Sequence, residues 1–375
     1  MKMPVEYEGR EQSYLKHRVL EQYLTAWAQK QGSVSRFRDV KLVYVDCFAG
    51  PWKSRDENLQ DTSVFIGLQA LTTAVATWRG GVKPKAVFVE KDTEAFERLQ
   101  AHLSTIPADV ETVALHGEFG SHLDRINQEI GDGSAFLFID PTGWRGVAMR
   151  YIAPLARVRG RDVMINVMFN HVKRFVDDPR SFLREQMREF FGLTDADIPP
   201  GLDEDQLLAF YRERLKTACS FPYAANLAIP HPTQNRTWFH LVVGGHHHEV
   251  LKLFRDVERR VCGEEADEVR SSARGRAAGQ GELVFGQDRA FDARHDRDLK
   301  RARAALETRP PGSRVEFLLV WTELLSRYHL TRSDVVRVVL ELIELGKIVP
   351  EPEVKRSIDD KVTLPLNPLA GDRKT

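Results

Sequence analysis

Four short groups of acidic, small and aromatic residues could do chemistry at the edge of a parallel sheet. Each follows an apolar run that is predicted to be a strand, and open α/β sheets bind ligands beyond the carboxyl ends of their strands. The first group, residues 46–52 (DCFAGPW), places a carboxylate ahead of a turn of small residues that lets the backbone approach a ligand closely. It lacks the GxGxxG spacing of a dinucleotide-binding turn.

Two further groups carry carboxylates at the ends of the second and third predicted strands. Glu90 is placed to accept hydrogen bonds from both hydroxyls of a ribose. Glu118 is placed to accept from an exocyclic amine while Phe119 lies against a purine ring. Taken singly, each position also fits ordinary turn chemistry, in which Asp and Gly are common.

The fourth group, residues 140–144 (DPTGW), can hold a flat substrate that carries an amine. The carboxylate of Asp140 or the carbonyl of Pro141 would accept from the amine, and Trp144 would stack on the ring. In this order along the chain, the four groups predict a class I methyltransferase fold that binds S-adenosylmethionine. The residues predicted to contact the cofactor are Asp46, Phe48, Ala49, Gly50, Pro51, Glu90, Glu118 and Phe119.

Alternating helices and buried strands must position these groups. Helical spacing of apolar residues predicts helices over 15–28, 63–78, 92–104, 124–130, 179–191, 203–218, 249–261, 293–307, 317–328 and 332–345. Apolar β-branched and aromatic runs predict strands over 40–48, 85–89, 110–115, 134–139, 163–169, 237–243, 347–349 and 361–364. Such continuous runs between helices indicate a doubly wound, Rossmann-like parallel sheet that is covered on both faces.

The chain is predicted to have three parts. Residues 1–265 form the methyltransferase-like domain, which carries a helical insertion over 178–220. Residues 266–309 form a charged connector and helix, and the polar stretch 263–290 is expected to be a mobile connection. Residues 310–375 have the pattern of a winged helix, with two amphipathic helices followed by a two-stranded wing.

Composition narrows the possible functions. The 375 residues include 54 basic and 54 acidic side chains, a balance that argues against a globally basic nucleic-acid coat. Three widely spaced cysteines argue against a disulfide scaffold and favour a reducing cytoplasm. No run approaches the ~18 apolar residues of a membrane span, so no membrane association is predicted. The polar N-terminus does not have the pattern of a secretory signal.

Charge is nevertheless uneven along the chain. Over residues 270–303, nine basic residues outnumber five acidic ones, just ahead of the predicted winged helix. The second helix of that unit, 332–345, has two arginines against three acids, which is few basic residues for a helix that reads DNA. Contact with nucleic acid and contact with protein therefore both remain open for this unit.

Two other clusters allow alternative interpretations. The histidines at 246–248 could bind a metal, but consecutive side chains point apart, so a solvated turn is favoured and no metal site is predicted. The stretch 170–174 (NHVKR) either lines the substrate cleft or forms a basic turn at the start of a helix.

The same motifs carry a resemblance to a known family. The stretches VYVDCFAGPW, VFVEKD, FLFIDPTGW and MINVMFNHVKRF, with KHRVLEQYL near the N-terminus, resemble the bacterial three-Cys-motif partner proteins (TcmP). The resemblance covers nearly the whole chain, including the winged helix. It implies a methyltransferase-like fold, S-adenosylmethionine as cofactor, and a separate partner protein that bears a three-cysteine motif and is encoded nearby.

Two motifs are also similar to those of N6-adenine methyltransferases. DCFAGP is similar to their motif I, and DPTGW to their DPPY motif, which grips the target amine of a flipped base. The chain departs from DPPY at Thr142 and inserts Gly143 before the aromatic residue. Carried over by position, the likeness assigns cofactor contact to Phe48, Ala49, Gly50 and Glu90, and amine contact to Asp140 and Pro141.

Two classes of function follow. The first is an S-adenosylmethionine-dependent methyltransferase that works with its partner and methylates an amine of a DNA or RNA base. The second is a non-catalytic member of the family, which uses the fold and the winged helix to bind protein or nucleic acid. The ribose acid Glu90 favours the first class, and the departure from DPPY at residues 140–144 favours the second.

Overall fold

The computed structural model describes most of the chain. The described residues are 3–50, 54, 59–78, 80–106, 109–141, 143, 146–194, 198–234, 236–277, 290–310, 312–352, 354 and 357–366. Two predicted site residues, Pro51 and Trp144, lie outside them, as does part of the predicted connection, 278–289. The predicted substrate contacts of the side chains at 170 and 171 also lie outside what is described.

A seven-stranded sheet forms the centre of the described chain. Its strands are β1 (Val40–Asp46), β2 (Val82–Glu90), β3 (Glu111–His116), β4 (Ser134–Ile139), β5 (Arg161–Val167), β6 (Tyr223–Pro230) and β7 (Thr237–Gly245). In the order β3-β2-β1-β4-β5-β7-β6, the first five strands of the chain are parallel, and β7 runs antiparallel to both β5 and β6. The order reverses between β1 and β4, which is the topological switch point where such sheets bind ligands.

Helices cover both faces of the sheet. In chain order they are α1 (Glu11–Gly32), α2 (Ser63–Trp78), α3 (Thr93–Leu103), α4 (Leu123–Ile130), α5 (Met149–Ala156), α6 (Phe169–Phe175), α7 (Ser181–Phe191), α8 (Glu204–Cys219), α9 (Glu249–Glu258), α10 (Ala266–Ala277), α11 (Ala290–Glu307), α12 (Phe317–Arg327) and α13 (Arg332–Glu344). Helices α1, α2 and α9 pack in the core on one face, and α4, α5, α7 and α8 in the core on the other. The predicted doubly wound, Rossmann-like fold is therefore confirmed.

Alternation along β1 shows how the sheet divides these two cores. Leu42 and Tyr44 face the core that contains α1, whereas Val43 and Val45 face the opposite core. Successive side chains of a strand project to opposite faces, so a strand buried on both sides must be apolar at every position. All four side chains are fully buried, and burial of each contributes about 1.5–3 kcal/mol.

Helix α1 lies along the whole length of β4 and antiparallel to it. Gln31, near its end, accepts a hydrogen bond from Ser134 at the start of β4, while Lys16 reaches Asp140 just beyond the strand. The helical distance from Lys16 to Gln31 is about 22 Å, and the strand distance from Ser134 to Asp140 is about 20 Å. The match in length places the N-terminal half of α1 at the edge of the sheet where ligands bind.

The C-terminal part of the chain packs a small sheet against two helices. Strand β8 (Ser313–Glu316) precedes α12 and pairs antiparallel with β9 (Thr363–Leu366), and single bridges join Ile348 and Glu351 to β9. Thr331 caps α13, and its side chain accepts from the N–H of Asp334. The two helices match the predicted ones, while the strand before them was not predicted and the segment at 347–349 forms one bridge only.

Part of the predicted mobile connection is helical, so that prediction is wrong over residues 263–277. A π-helix, Arg259–Glu265, continues α9 and leads directly into α10. The physical reason is a stripe of small apolar side chains, because Ala266, Val269 and Ala273 are all buried at helical spacing. The abundance of Arg, Gly and Glu around this stripe hid it from the sequence.

No helix in the described part of the chain is both long enough and apolar enough to span a membrane.

Candidate functional site

The carboxyl ends of β1 and β4 bring the first and fourth predicted groups side by side. The backbone N–H of Cys47 donates to the carbonyl of Phe138 at 2.9 Å, so the two strands stay paired up to their tips. Asp46 ends β1, and Asp140 directly follows β4. The crevice at the switch point is therefore bordered by residues of both groups.

Asp46 is completely buried and supports the loop that follows β1. Its Oδ1 accepts from the N–H of Phe48 at 3.2 Å, and its Oδ2 accepts from the hydroxyl of Tyr44 at 3.3 Å. Burial raises the pKa of this carboxyl from 3.8 to about 6, although hydrogen bonds from Ser63, Phe48 and Tyr44 oppose the rise. Asp46 thus holds the start of the loop that was predicted to touch the cofactor.

The loop after β1 is tied to the ends of β2 and β3. The N–H of Ala49 donates to the carbonyl of Val89 at 2.8 Å. The ring of Phe48 packs against that of Phe119, with 5.8 Å between their centroids. Three of the predicted groups, from three different strands, therefore meet at one place, with Gly50 half-buried beside them.

Glu90 ends β2 with one carboxylate oxygen engaged. The N–H of Asp92 donates to its Oε1 at 2.7 Å, and that is its only side-chain hydrogen bond within the described residues. Its backbone carbonyl accepts from Gly117 at 2.9 Å, which fixes the turn after β3. Gly117 has a φ of +138°, and a Cβ there would lie 2.8 Å from Nε2 of His122, so only glycine fits. Glu118, the next residue, is exposed at the rim.

Asp140 is engaged at both of its carboxylate oxygens. The Nζ of Lys16 in α1 forms an ion pair with Oδ2. The Nδ2 of Asn166 in β5 donates to Oδ1 at 2.6 Å. Because a carboxylate offers about four lone-pair positions, Asp140 can still accept from a further donor. Pro141, which follows it, is buried.

Asn166 presents an unused acceptor next to Asp140. A carboxylate can only accept, so the amide must turn its nitrogen towards Asp140 and its oxygen away. That oxygen, Oδ1, is buried and has no hydrogen-bond partner among the described residues. An unsatisfied buried carbonyl costs roughly 1–3 kcal/mol, which an N–H donor from a ligand would recover.

The chain before and within α1 forms a wall over this edge of the sheet. Arg10 forms an ion pair with Asp61, which also accepts from the hydroxyl of Ser54. The hydroxyl of Tyr7 lies 2.9 Å from Nδ1 of His17. Burial, with Lys16 beside it, lowers the pKa of His17 to about 3, so its ring is neutral at physiological pH.

Of the three consecutive histidines at 246–248, the first and the third pack against different aromatic side chains, and the ring centroids of His247 and His248 lie 4.1 Å apart. The ring of His246 meets Phe221 edge-on at 4.9 Å between centroids, and that of His248 meets Trp321 edge-on at 5.4 Å. Within the described residues, no group of three or more His, Cys, Asp or Glu side chains is arranged to hold a metal ion.

Sequence reasoning missed Lys16 and Asn166. Asn166 had a usable signal, because it is the one polar side chain within the buried run VMINV of β5 and a buried polar group needs a partner. Lys16 had no such signal, since a lysine on an amphipathic helix is ordinarily solvated. Its role depends on how α1 docks against β4, which local sequence does not specify.

Comparisons with known proteins give only remote likenesses. No family model and no curated protein matches the chain. The O-methyltransferase from Bacillus cereus in complex with SAH is 12% identical over 60% of this chain and 80% of its own, with a TM-score of 0.33. Human methyltransferase-like protein 13 in complex with SAH is 10% identical over 66% of this chain and 92% of its own, with a TM-score of 0.34.

Loganic acid methyltransferase with SAH is also similar, at 10% identity over 74% of this chain and 92% of its own, with a TM-score of 0.31. At identities and TM-scores this low, the likeness carries no argument about the reaction. The fold assignment rests on the strand order and the switch point of this chain.

Proposed function

We propose that this chain is a cytoplasmic S-adenosylmethionine-dependent methyltransferase of the three-Cys-motif partner family, and that it acts on an amine. The observation that supports this most is the buried, unpartnered Oδ1 of Asn166 beside the carboxylate of Asp140. Two acceptors on neighbouring side chains at a switch point would suit a primary amine, which has two N–H donors. A hydroxyl acceptor of the methyl group has one donor and would satisfy only one of them.

The residues around the β1 loop fit the cofactor. Glu90 has only its Oε1 hydrogen-bonded within the described residues, which leaves Oε2 for ribose hydroxyls. Phe48 and Phe119 form an apolar wall for a purine, with exposed Glu118 next to it for the amino group. Backbone of Ala49 and Gly50 would approach the amino-acid portion closely. When bound, S-adenosylmethionine supplies an electrophilic methyl group.

The residues at β4 and β5 orient the acceptor. Asp140 and Asn166 would accept hydrogen bonds from the two N–H groups of the amine. The nitrogen lone pair would then be free to point at the methyl donor. Holding the two reactants in line is the main catalytic work in such a transfer. Correct orientation can lower the activation barrier by up to roughly 7–11 kcal/mol. Lys16 holds the carboxylate of Asp140 in this orientation.

We take the acceptor to be the exocyclic amine of a nucleic-acid base. The similarity of DPTGW to the DPPY motif supports this choice, and so does the flat shape of the group that Trp144 is predicted to stack on. The described residues do not include Thr142 or Trp144, so the stacking residue stays a prediction from sequence.

The C-terminal unit is proposed to be a winged helix that contacts the three-Cys-motif partner. Helix, strand, two helices and two paired segments follow one another from α11 to β9, in the order of such domains. The basic side chains of α13 are already engaged: Arg332 binds Asp360, and Arg337 binds Asp334. A helix with its cations so paired suits contact with protein better than base readout.

A non-catalytic role is the second candidate, and the ion pair of Lys16 with Asp140 favours it. If the ammonium group of Lys16 permanently occupies the place of the substrate amine, no methyl acceptor can bind in the crevice. The chain would then serve as a binding module, with or without bound cofactor. The three parts of the chain would then present surfaces to protein or nucleic acid.

Transfer of a tritiated methyl group distinguishes the two candidates. Purified chain, with and without its partner, is incubated with total nucleic acid and with protein extract, and Asp140→Ala serves as the matched variant. We expect label in nucleic acid for the wild type, loss of at least ~100-fold in Asp140→Ala, and nearly equal affinity of both for S-adenosylmethionine by calorimetry. No cofactor binding by the wild type would exclude the enzyme.

A further inference from the structure

A cavity of about 450 Å³ lies beyond the end of β6 and the start of β7, against the π-helix and helices α10 and α11. We call it the arginine cavity, because Arg236, Arg270 and Arg294 line it, together with Cys262 and with Asp267, the one acid among its described lining residues. The three parts of the wall come from distant stretches of the chain. Their convergence places three arginines and one aspartate of the described chain around one concave surface.

Two of these arginines form no ion pair with a carboxylate of the described chain. Arg236 is exposed, lies over the ring of Trp238 at 5.3 Å, and donates from Nε to the neutral side-chain oxygen of Gln234 at 2.6 Å. Arg294 forms no hydrogen bond or ion pair with any described residue, and it is only half-buried. Because neither guanidinium forms an ion pair with a described carboxylate, both can bind an anionic ligand.

The third arginine, Arg270, holds one wall of the cavity in place. Arg270 is 5% exposed and donates from Nε to the carbonyl of His231 and from Nη2 to the carbonyl of Gln234, both at 3.2 Å. It thereby fixes the turn between β6 and β7 on which Arg236 stands. The π-helix forms the facing wall at Cys262, and such wide turns are rare and occur frequently at functional sites.

The cavity lies at the same edge of the sheet as Asp140. β7 begins at Thr237 in the cavity wall, and two residues later the ring of Phe239 lies 5.8 Å from Nζ of Lys16, the partner of Asp140. Three strand spacings separate β4 from β6 in the sheet, which is about 14 Å. A strand of a few nucleotides spans that distance.

We propose that the arginine cavity binds the phosphodiester backbone of a single-stranded nucleic acid whose target base enters the crevice at Asp140. The proposal rests on the proposed function and adds the residues that hold the substrate. A single strand is favoured because the amine must reach the bottom of the switch-point crevice, which a paired base cannot do. Positively charged grooves that track the backbone are the usual means of holding such strands.

The test is the salt dependence of binding, measured by fluorescence anisotropy with a short labelled single-stranded DNA and the same sequence as RNA. Arg236→Ala and Arg294→Ala are each expected to weaken binding and to reduce the slope of log affinity against log salt by about 0.7. Arg294→Lys keeps the charge and is expected to keep the slope. Stronger binding of one oligonucleotide identifies the sugar that the site accepts.

The matched control removes one arginine from the opposite end of the sheet. Arg159 precedes β5 and lines a separate, open basic cavity with Arg157 and Lys216. Arg159→Ala changes the net charge equally, so unchanged binding by this variant supports the arginine cavity. Equal losses of oligonucleotide affinity in Arg159→Ala and Arg294→Ala would overturn the proposal. So would a duplex that competes for binding as strongly as the single strand does.

Calorimetry with S-adenosylmethionine separates this proposal from the proposed function. If the wild type binds the cofactor but no oligonucleotide, only the proposal for the arginine cavity is overturned. Oligonucleotide binding that depends on Arg294 in a wild type that binds no cofactor would overturn the methyltransferase alone.

Discussion

The ammonium group of Lys16 forms an ion pair with the carboxylate of Asp140, although the two residues stand 124 positions apart in the chain. Their side chains are only 12% and 18% exposed, so solvent screens the pair weakly. The pair joins α1 to the tip of β4 at the switch point. An acceptor amine therefore has to share this carboxylate with a fixed cation.

Replacement of Asn166 by Leu should separate acceptor binding from cofactor binding. The variant removes both the donor to Asp140 and the free acceptor Oδ1, so we expect methyl transfer to fall by roughly 100-fold. Cofactor affinity should stay near that of the wild type, because the β1 loop and Glu90 are untouched. Transfer is measured with tritiated methyl and affinity by calorimetry.

Lys16→Met is the contrasting variant for Asn166. It also removes one partner of Asp140, yet it leaves Oδ1 of Asn166 in place. A smaller loss of transfer in Lys16→Met than in Asn166→Leu would show that the amide oxygen is used by the substrate. Equal losses would indicate that both residues only orient Asp140.

Glu90→Gln should weaken cofactor binding specifically. The amide cannot accept from two ribose hydroxyls with the strength of a carboxylate, and hydrogen bonds to a charged group contribute about 1.5–3 kcal/mol. We expect an affinity loss of roughly tenfold or more for S-adenosylmethionine in calorimetry. Glu97→Gln, on the exposed face of α3 nearby, is the control and should bind as the wild type does. Unaltered affinity in Glu90→Gln would rule out the ribose contact.

Asp162 should make the protein less stable as pH rises. It lies in β5, where Nε1 of Trp27 donates to it at 3.0 Å, and burial raises its pKa from 3.8 to about 7 despite hydrogen bonds from Trp27 and His246. Between those two values the folded state keeps the proton that the unfolded state loses. The folded state then binds more protons, so the free energy of unfolding falls as pH rises through that window.

Asp162→Asn cannot ionise and should remove this part of the pH dependence. Urea denaturation from about pH 4 to pH 8 should show the stability of the variant rising relative to that of the wild type. Asp124→Asn, at an exposed position of α4, should follow the wild-type curve. If Asp162→Asn also follows the wild-type curve throughout, the carboxyl is not held protonated.

Glu258 should be essential for the attachment of the C-terminal helices. Its Oε2 accepts from Arg255 and its Oε1 lies against Nδ1 of His329, each at 2.6 Å, while Arg255 also donates to the carbonyls of Leu325 and Asn226. Glu258→Ala leaves a buried cation without its carboxylate, which ordinarily costs about 3–5 kcal/mol. Urea denaturation measures this loss.

The control for Glu258 is an exposed pair on α3. Glu94 and Arg98 are 74% and 61% exposed, so Glu94→Ala should change the free energy of unfolding by less than about 1 kcal/mol. A loss in Glu258→Ala as small as that in Glu94→Ala would mean that the buried network is dispensable.

The sheet could be predicted from the sequence because its strands are buried on both faces. Runs such as 135–139 (AFLFI) are apolar at every position and too short for a helix, which indicates a strand buried on both faces. β6 was missed because Tyr223–Pro230 contains several alanines and a proline, which suit an edge strand but give little periodic signal. α10 was missed because its apolar stripe is made of small residues.

The candidate site could be predicted only where it follows the strands. Asp46, Glu90 and Asp140 stand directly at strand ends, so strand assignment alone brings them to one edge. Lys16 arrives there through the docking of a helix whose partner is far away in the chain. That relationship depends on packing between distant segments, which no local pattern encodes.

Helix α1 is restrained from two sides within a single turn. Lys16 binds Asp140, and Arg18 binds Glu265 at the end of the π-helix through two hydrogen bonds of 2.9 and 3.0 Å. Lys16 and Arg18 are two residues apart, which corresponds to about 200° around the helix axis. The two ion pairs therefore lie on opposite sides of α1. Turning α1 about its axis would stretch both ion pairs together. One turn of α1 therefore connects the carboxylate of Asp140 to the π-helix, which also forms a wall of the arginine cavity.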